Sequence, residues 1–172
     1  MHGPVTRGPS LSDPVASAYS QIRGRILAGR DIGTAQQAGG TVIVLTSRRR
    51  QEGVTTVCLE LALSLQDEYR GGVLLVDSSP PKSDLVRLLK ADCRPLMPDM
   101  LSAPAAATAE SVAGLVSFGG GLSLPVLQLA NTQVLESPGW PAVLDQLRQQ
   151  YPILLVDSGS IEWNMPHLWS RW

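Results

Sequence analysis

The stretch of sequence best suited to chemistry joins a short apolar strand to a helix, and it reads TSRRRQEGVTT over residues 46–56. A strand-to-helix turn of this kind presents backbone N–H groups and a helix N-terminus, which together can hold phosphate. The phosphate-binding pattern is G-x-x-x-x-G-K-[ST], in which the lysine neutralises phosphate charge and the hydroxyl holds Mg²⁺. The stretch keeps Gly53 and Thr55, whereas Arg48 replaces the first glycine and Val54 replaces the lysine.

Two acidic residues end apolar strands elsewhere in the chain. Asp77 closes VLLVD and Asp157 closes ILLVD. Ligands of parallel sheets bind beyond the carboxyl ends of the strands, so we expect both acids near the 46–56 loop. There they are candidate catalytic residues and, with Thr55, candidate Mg²⁺ ligands. A second interpretation stays open, in which each acid only caps the turn that follows its strand.

The same loop carries three consecutive arginines, Arg48, Arg49 and Arg50. Arginine pairs well with phosphate, so one of them could supply the charge that is missing at Val54. Runs of like charge are usually solvated, and that interpretation also stays open. Glu52 is assigned no chemistry of its own. The histidines and cysteines show no spacing typical of a metal centre or of a nucleophile with its base.

The elements that must position these residues follow from the pattern of apolar residues. Three short aliphatic runs are typical of strands buried on both faces, and helical periodicity appears between them. The pattern predicts a three-layer, doubly wound α/β fold with mostly parallel strands. The strands are expected at 41–45, 73–77 and 153–157, and the helices from Pro14 and at about 55–69, 83–90 and 138–150.

The middle and the end of the chain are harder to interpret. Within residues 91–121, the alanine-rich segment PAAATAESVAGL (104–115) suggests one weak helix. Residues 123–129 suggest a strand in which Pro125 favours an edge position or a strand start. No further strand is recognised after Asp157, where a doubly wound sheet usually continues. We therefore expect a domain truncated at its C-terminal end, which would leave Trp163, Trp169 and Trp172 without their full cover.

Length and composition fit a single domain. The chain has 172 residues and a formal net charge of -1, which gives no electrostatic case for binding nucleic acid or a membrane surface. Residues 1–13 lack an apolar period and are predicted to be disordered, which leaves 14–172 as one domain. Two cysteines cannot form a disulfide framework, and no apolar run reaches membrane-spanning length, so we expect a cytoplasmic protein.

The order and spacing of these segments resemble a known family. TVIVLTSRRRQEGVTTVCLELALSLQ, VLLVDSS and YPILLVDSGS are similar to the bacterial tyrosine kinases of capsule and exopolysaccharide systems. Those kinases belong to a wider group of P-loop ATPases that includes chromosome-partitioning and division-site proteins. The family loop reads T-S-x-x-x-x-x-G-K-[ST]-T, so this chain retains Gly53, Thr55 and Thr56 and departs at Val54.

The two other strand-end motifs of the family are also altered. Its D-x-D-x-R motif corresponds to residues 77–81, which keep Asp77 but carry Ser79 and Pro81 at the second acid and the arginine. Its D-[ST]-P-P motif corresponds to residues 157–160, which keep Asp157 and lose both prolines.

The segment DPVASAYSQIRGRILAG resembles the family helix of the form E-A-[YF]-R-x-L-R-T-N-[IL]. In the family this helix takes part in ring-like self-association. The resemblance therefore implies a homo-oligomer contact through Tyr19, Ile22, Arg23 and Ile26.

The resemblance implies ATP or ADP with Mg²⁺ as ligands, bound by Arg48–Arg50 and residues 53–56. Loss of the lysine charge and of the second acid implies that phosphoryl transfer is absent or very slow. A pseudokinase is the first hypothesis: a scaffold or regulator of exopolysaccharide or capsule production, held at the inner membrane by a membrane-spanning co-polymerase or export partner. The alternatives are an active kinase or ATPase that uses the loop arginines, and a partitioning-type or division-site nucleotide switch.

Overall fold

The fold is an α/β sandwich built on one sheet. The computed structural model describes residues 14–32, 39–66, 72–78, 84–90, 95–102, 113–117 and 123–161. Residues 1–13, which were predicted to be disordered, lie outside these ranges. So do Ser79, Pro81 and the three tryptophans after residue 161.

Five strands and five α-helices are present in the described ranges, together with a 3-10 helix at Pro98–Ser102. The strands are β1 (Thr41–Ser47), β2 (Val73–Asp77), β3 (Ala113–Ser117), β4 (Ser123–Gln128) and β5 (Ile153–Ser160). The helices are α1 (Pro14–Ile32), α2 (Val54–Gln66), α3 (Asp84–Leu89), α4 (Gln133–Glu136) and α5 (Trp140–Gln150).

The strand order in the sheet is β1-β5-β2-β4-β3. The first four of these strands run parallel, and β3 is antiparallel to β4. The last strand in sequence, β5, therefore lies between the first two, with Ile153 opposite both Thr41 and Val73. This arrangement confirms the predicted α/β fold with a mostly parallel sheet.

Successive side chains along the central strands point to opposite faces of the sheet, as the two-residue period requires. On one face, Leu74, Leu154 and Val156 pack with α4, α5 and the 3-10 helix. On the other, Leu75 and Leu155 pack with α1, α2 and α3. The sheet is thus covered on both sides, and this explains why β2 and β5 read as uninterrupted apolar runs.

The predicted helix at 138–150 corresponds to α5. Its apolar stripe, Trp140, Val143, Leu144 and Leu147, is buried against the sheet, as the periodicity indicated. The helix starts two residues later than expected, at Trp140, and ends where expected, at Gln150.

Three sequence predictions need correction. The strand at 41–45 was expected to be buried on both faces, but β1 is an edge strand and its apolar side chains are only half-buried. The weak helix was expected in residues 104–115, most of which lie outside the described ranges, and its last three positions belong instead to the strand β3, which begins at Ala113. An edge position was one interpretation of Pro125, but β4 has a neighbour on each side.

Pro125 is tolerated because of where it lies along β4. It is opposite Leu115 of β3, while pairing with β2 begins one residue later, at Val126. The alternative interpretation of Pro125, a position near the start of a strand, therefore describes it better.

Gly40 fits tightly between the start of β1 and the end of α5. Its N–H donates to the Arg148 carbonyl, and its own carbonyl accepts from Arg148 Nε at 2.9 Å. A Cβ at this position would collide with the backbone carbonyl of Tyr151.

We predict that Gly40→Ala lowers the free energy of unfolding by about 1–3 kcal/mol, because a backbone carbonyl cannot rotate away as a side chain can. The matched control is Gly24→Ala in α1, where an added Cβ meets nothing within 4 Å. That substitution should raise stability by up to about 1 kcal/mol, since alanine is the better helix former. Urea unfolding of the native protein and both variants gives the change in the free energy of unfolding. Equal changes in the two variants would show that glycine is not sterically required at position 40.

Candidate functional site

The carboxyl ends of β1, β5 and β2 meet at one edge of the sheet. Asp157 of β5 is the register partner of Asp77 in β2 and of Leu45 in β1. The 46–54 loop leaves this edge, as do the residues that follow Asp77 and Asp157. The structure thus brings together the elements that the sequence analysis assigned to a ligand site.

Asp157 is the most deeply buried acid at this edge, with 0% of its surface exposed. Its Oδ1 accepts from the Gly159 N–H at 3.0 Å, whereas Oδ2 has no hydrogen-bond partner among the described residues. Burial raises the pKa of Asp157, and the nearby Asp77 carboxylate adds to the rise. Hydrogen bonds from the Thr55 hydroxyl and the Gly159 N–H favour the charged carboxylate, so they partly offset this rise in pKa. Thr55 and Asp157, which the sequence analysis paired as Mg²⁺ ligands, therefore lie close together.

Asp77 is also buried, with 1% of its surface exposed. Its carbonyl accepts from the Leu129 N–H at 2.9 Å, which fixes the end of β2 against the chain that follows β4. The next residue, Ser78, donates to the Asp157 carbonyl from both its N–H and its Oγ. The two acids are therefore held side by side by main-chain bonds.

Serines and threonines at the strand ends tie the site together, and the sequence analysis did not identify them. Ser158 Oγ donates to the Leu45 carbonyl at 2.9 Å, and Thr46 Oγ1 donates to the Gly159 carbonyl at 3.0 Å. These bonds join the ends of β1 and β5. The available signal was a small hydroxyl directly after each apolar strand, a position where such side chains bond to nearby backbone.

The loop after β1 is organised by its own polar groups. Ser47 Oγ donates to the Arg49 carbonyl at 2.7 Å, and the Arg49 N–H donates to Glu52 Oε2 at 3.1 Å. Gln51 and Gly53 both have positive φ, at 63° and 86°. Glu52, which was assigned no chemistry, therefore has a structural role. Its carboxylate occupies one of the N–H donors that an incoming phosphate would need.

Val54 begins α2 and lies where the phosphate-binding pattern has its lysine. It lines an open groove of about 500 Å³ between β1 and α2, and no cationic side chain of the described residues contributes to the lining. The residues lining this groove are Val44, Leu45, Thr46, Ser47, Glu52, Val54 and Val57.

The three loop arginines are exposed. The guanidinium groups of Arg48 and Arg49 form no ion pair with any side chain that the structure describes. Arg50 does have an interaction partner. This exposure agrees with the interpretation of the run as a solvated loop.

The donor atoms at the edge suit a hard cation. Two carboxylates and a threonine hydroxyl are oxygen ligands of the kind that Mg²⁺ prefers, and Oδ2 of Asp157 is unpartnered. Within the described ranges, no group of three His, Cys, Asp or Glu side chains gathers as a metal centre.

Cys58, the cysteine on α2, is fully buried among apolar side chains, as predicted. Burial raises the pKa of its thiol, and the carboxylates of Asp157 and Asp77 raise it further. A thiol held in its neutral form is a poor nucleophile, so Cys58 is a core residue here.

The residues expected to mediate self-association divide between the core and the surface. Tyr19 and Ile26 of α1 pack against the apolar cluster beneath α2. Burial raises the pKa of the Tyr19 hydroxyl, and the nearby Glu60 carboxylate adds to this. Ile22 is 41% exposed, and Arg23 is half-buried with an interaction partner. Of the four, Ile22 is the apolar side chain left open to a second molecule.

Neither the models of protein families nor the curated proteins contain a match to this chain. Among the helices that the structure describes, none is both long and apolar enough to cross a membrane.

The buried charge of Asp157 predicts a specific pH dependence. Its pKa is higher in the folded than in the unfolded protein, so the folded state binds the proton more tightly. Stability should therefore fall as pH rises from about 4, the unfolded pKa, through the folded value. Asp157→Asn should raise the free energy of unfolding at pH 7, and it should make the free energy of unfolding less dependent on pH over this range.

Urea unfolding across pH 4–8 measures the effect of Asp157→Asn, with Asp145→Asn on the exposed face of α5 as the control. Asp145→Asn should leave the profile unchanged within about 0.5 kcal/mol. A lower stability of Asp157→Asn at pH 7, with the slope retained, would show instead that the folded state stabilises the charge.

Proposed function

We propose that this chain is a degenerate P-loop domain related to the bacterial tyrosine kinases of capsule and exopolysaccharide systems, and that it acts as a scaffold or regulator rather than as a kinase. The observation that carries the proposal is Val54. At the position of the phosphate-binding lysine, an isopropyl group lines the groove between β1 and α2.

The loss at Val54 bears on phosphoryl transfer because that reaction depends on positioning and charge stabilisation. Removal of one such charge-assisted contact commonly costs several kcal/mol of transition-state stabilisation. The Glu52 carboxylate adds negative charge at the loop and occupies the Arg49 N–H. Both features disfavour a bound triphosphate poised for reaction.

Other features of the site favour a retained, weak affinity for nucleotide with Mg²⁺. Gly53 keeps a positive φ of 86°, so the loop still turns sharply into the N-terminus of α2. Thr55 lies beside Asp157, and Asp77 is next to it in the sheet. ATP or ADP bound here would meet oxygen ligands for its metal but no lysine.

The partner of such a scaffold would be a membrane-spanning polysaccharide co-polymerase or export protein, which would hold the domain at the cytoplasmic face of the inner membrane. A second copy of the chain is a further proposed partner. Ile22, the exposed apolar residue of α1, is the described residue best placed to contribute to that contact.

A second candidate function is an active ATPase or kinase in which arginine supplies the missing charge. The exposure of Arg48 and Arg49, whose guanidinium groups form no ion pair with described residues, favours it. Replacement of all three loop arginines by alanine would then abolish turnover.

We predict that Val54→Lys tightens the binding of a fluorescent ATP analogue with Mg²⁺ by about tenfold to hundredfold. The expectation follows from the roughly 1.5–3 kcal/mol that a hydrogen bond to a charged group contributes. The control is Glu60→Gln, an exposed position further along α2 that changes the net charge by the same amount. Fluorescence titration gives the dissociation constant of the ATP analogue for the native protein and for both variants.

Two results would contradict the proposal. Equal effects of Val54→Lys and Glu60→Gln would mean that the loop does not cradle phosphate. ATP hydrolysis or autophosphorylation by the native protein, abolished by Thr55→Ala, would establish an enzyme.

A further inference from the structure

Among the described strands, β1 lies at the edge of the sheet. β1 pairs with β5 on one side, and no strand that the structure describes pairs with it on the other. Natural proteins protect such edges with charged residues, prolines or short strands, because free N–H and C=O groups attract another strand. β1 has none of these protections, since its seven residues read TVIVLTS.

The residues of β1 are of the kind found in central strands, which pair with another strand on each side. Val42 and Val44 pack against the apolar cluster on one face, and Ile43 and Leu45 against the cluster on the other. All four remain only half-buried. A β-branched, uncharged strand at an edge can bury its remaining surface if a further strand is added.

The apolar surface continues from the strand onto α2. The groove described above lies along the carboxyl half of β1, where Leu45 faces Val54 and Val57 across an open volume of about 500 Å³. An added strand would place every second side chain on this face of the sheet, and the groove offers room for one of them.

The charge beside this edge indicates what the added strand carries. Arg48 and Arg49 follow β1 directly, are exposed, and have guanidinium groups without an ion-pair partner in the described ranges. A strand lying along β1 would bring one of its ends close to these two cations. Acidic residues at that end would complement them, and basic residues would be repelled.

We propose that β1 accepts a strand from a partner protein, an extended segment with alternating apolar residues and an acidic end that lies against Arg48 and Arg49. Main-chain hydrogen bonds to the outer edge of β1 supply the affinity, and the groove and the two arginines supply the specificity. The inference rests on the proposed scaffold role only in that a scaffold needs a partner.

The test uses the full chain and two synthetic ten-residue peptides of alternating valine and threonine. One ends in three acidic residues at its C-terminus and the other at its N-terminus, so that parallel and antiparallel addition are both sampled. Hydrogen exchange of the β1 amides is measured with and without each peptide, and fluorescence anisotropy gives the affinity. The control peptides carry lysines in place of the acidic residues.

One acidic peptide should slow exchange within Thr41–Ser47 by about tenfold or more, and its lysine counterpart should not. Arg48→Ala with Arg49→Ala should weaken binding about threefold to tenfold, as two exposed ion pairs would. Arg25→Ala with Arg87→Ala, which removes two exposed arginines on α1 and α3, should leave it unchanged. These outcomes are independent of the nucleotide titration, so either proposal can fail alone.

Four outcomes would overturn the inference. Slow exchange, in the dilute protein alone, of the β1 amides that point away from β5 would show that other residues of this chain cover the edge. Protection that grows with protein concentration would identify a second copy as the occupant. Equal binding of acidic and basic peptides, or protection of the 48–53 loop without β1, would show that no charge-matched strand is added.

Discussion

The parallel pairing of β5 with β1 on one side and β2 on the other is the interaction on which the rest of the structure depends. It joins three segments that are far apart in sequence, and the register that it fixes places Asp157 beside Asp77 and opposite Leu45. The pairing also places β5 in both apolar clusters, since Leu154 and Leu155 point to opposite faces of the sheet. The site and the two cores are therefore products of one strand alignment.

Much of this arrangement could be predicted from the sequence, because the relevant signals are local. Aliphatic runs predict the strands β2 and β5, and the apolar stripe of α5 predicts both the helix and the face that it buries. The rule that ligands gather at the carboxyl edge of a parallel sheet then places the loop and the two acids together without any knowledge of strand order.

The features that could not be predicted depend on strand order and on distant contacts. A strand buried on both faces and an apolar edge strand have the same composition, so β1 could not be assigned to the edge. The strand β3 is short and half-exposed, with Leu115 turned to solvent, and its sequence lacks a clear period. Proline in β4 suggested an edge, but an antiparallel neighbour accommodates it.

Hydrogen bonds join the end of β1 to the end of β5 at the candidate site, so the two strand ends move together. Ser158 and Thr46 each donate across the gap between β1 and β5, and the Ile161 N–H donates to the Ser47 carbonyl at 2.9 Å. A displacement of the loop after β1 is therefore carried directly into the backbone at Ile161.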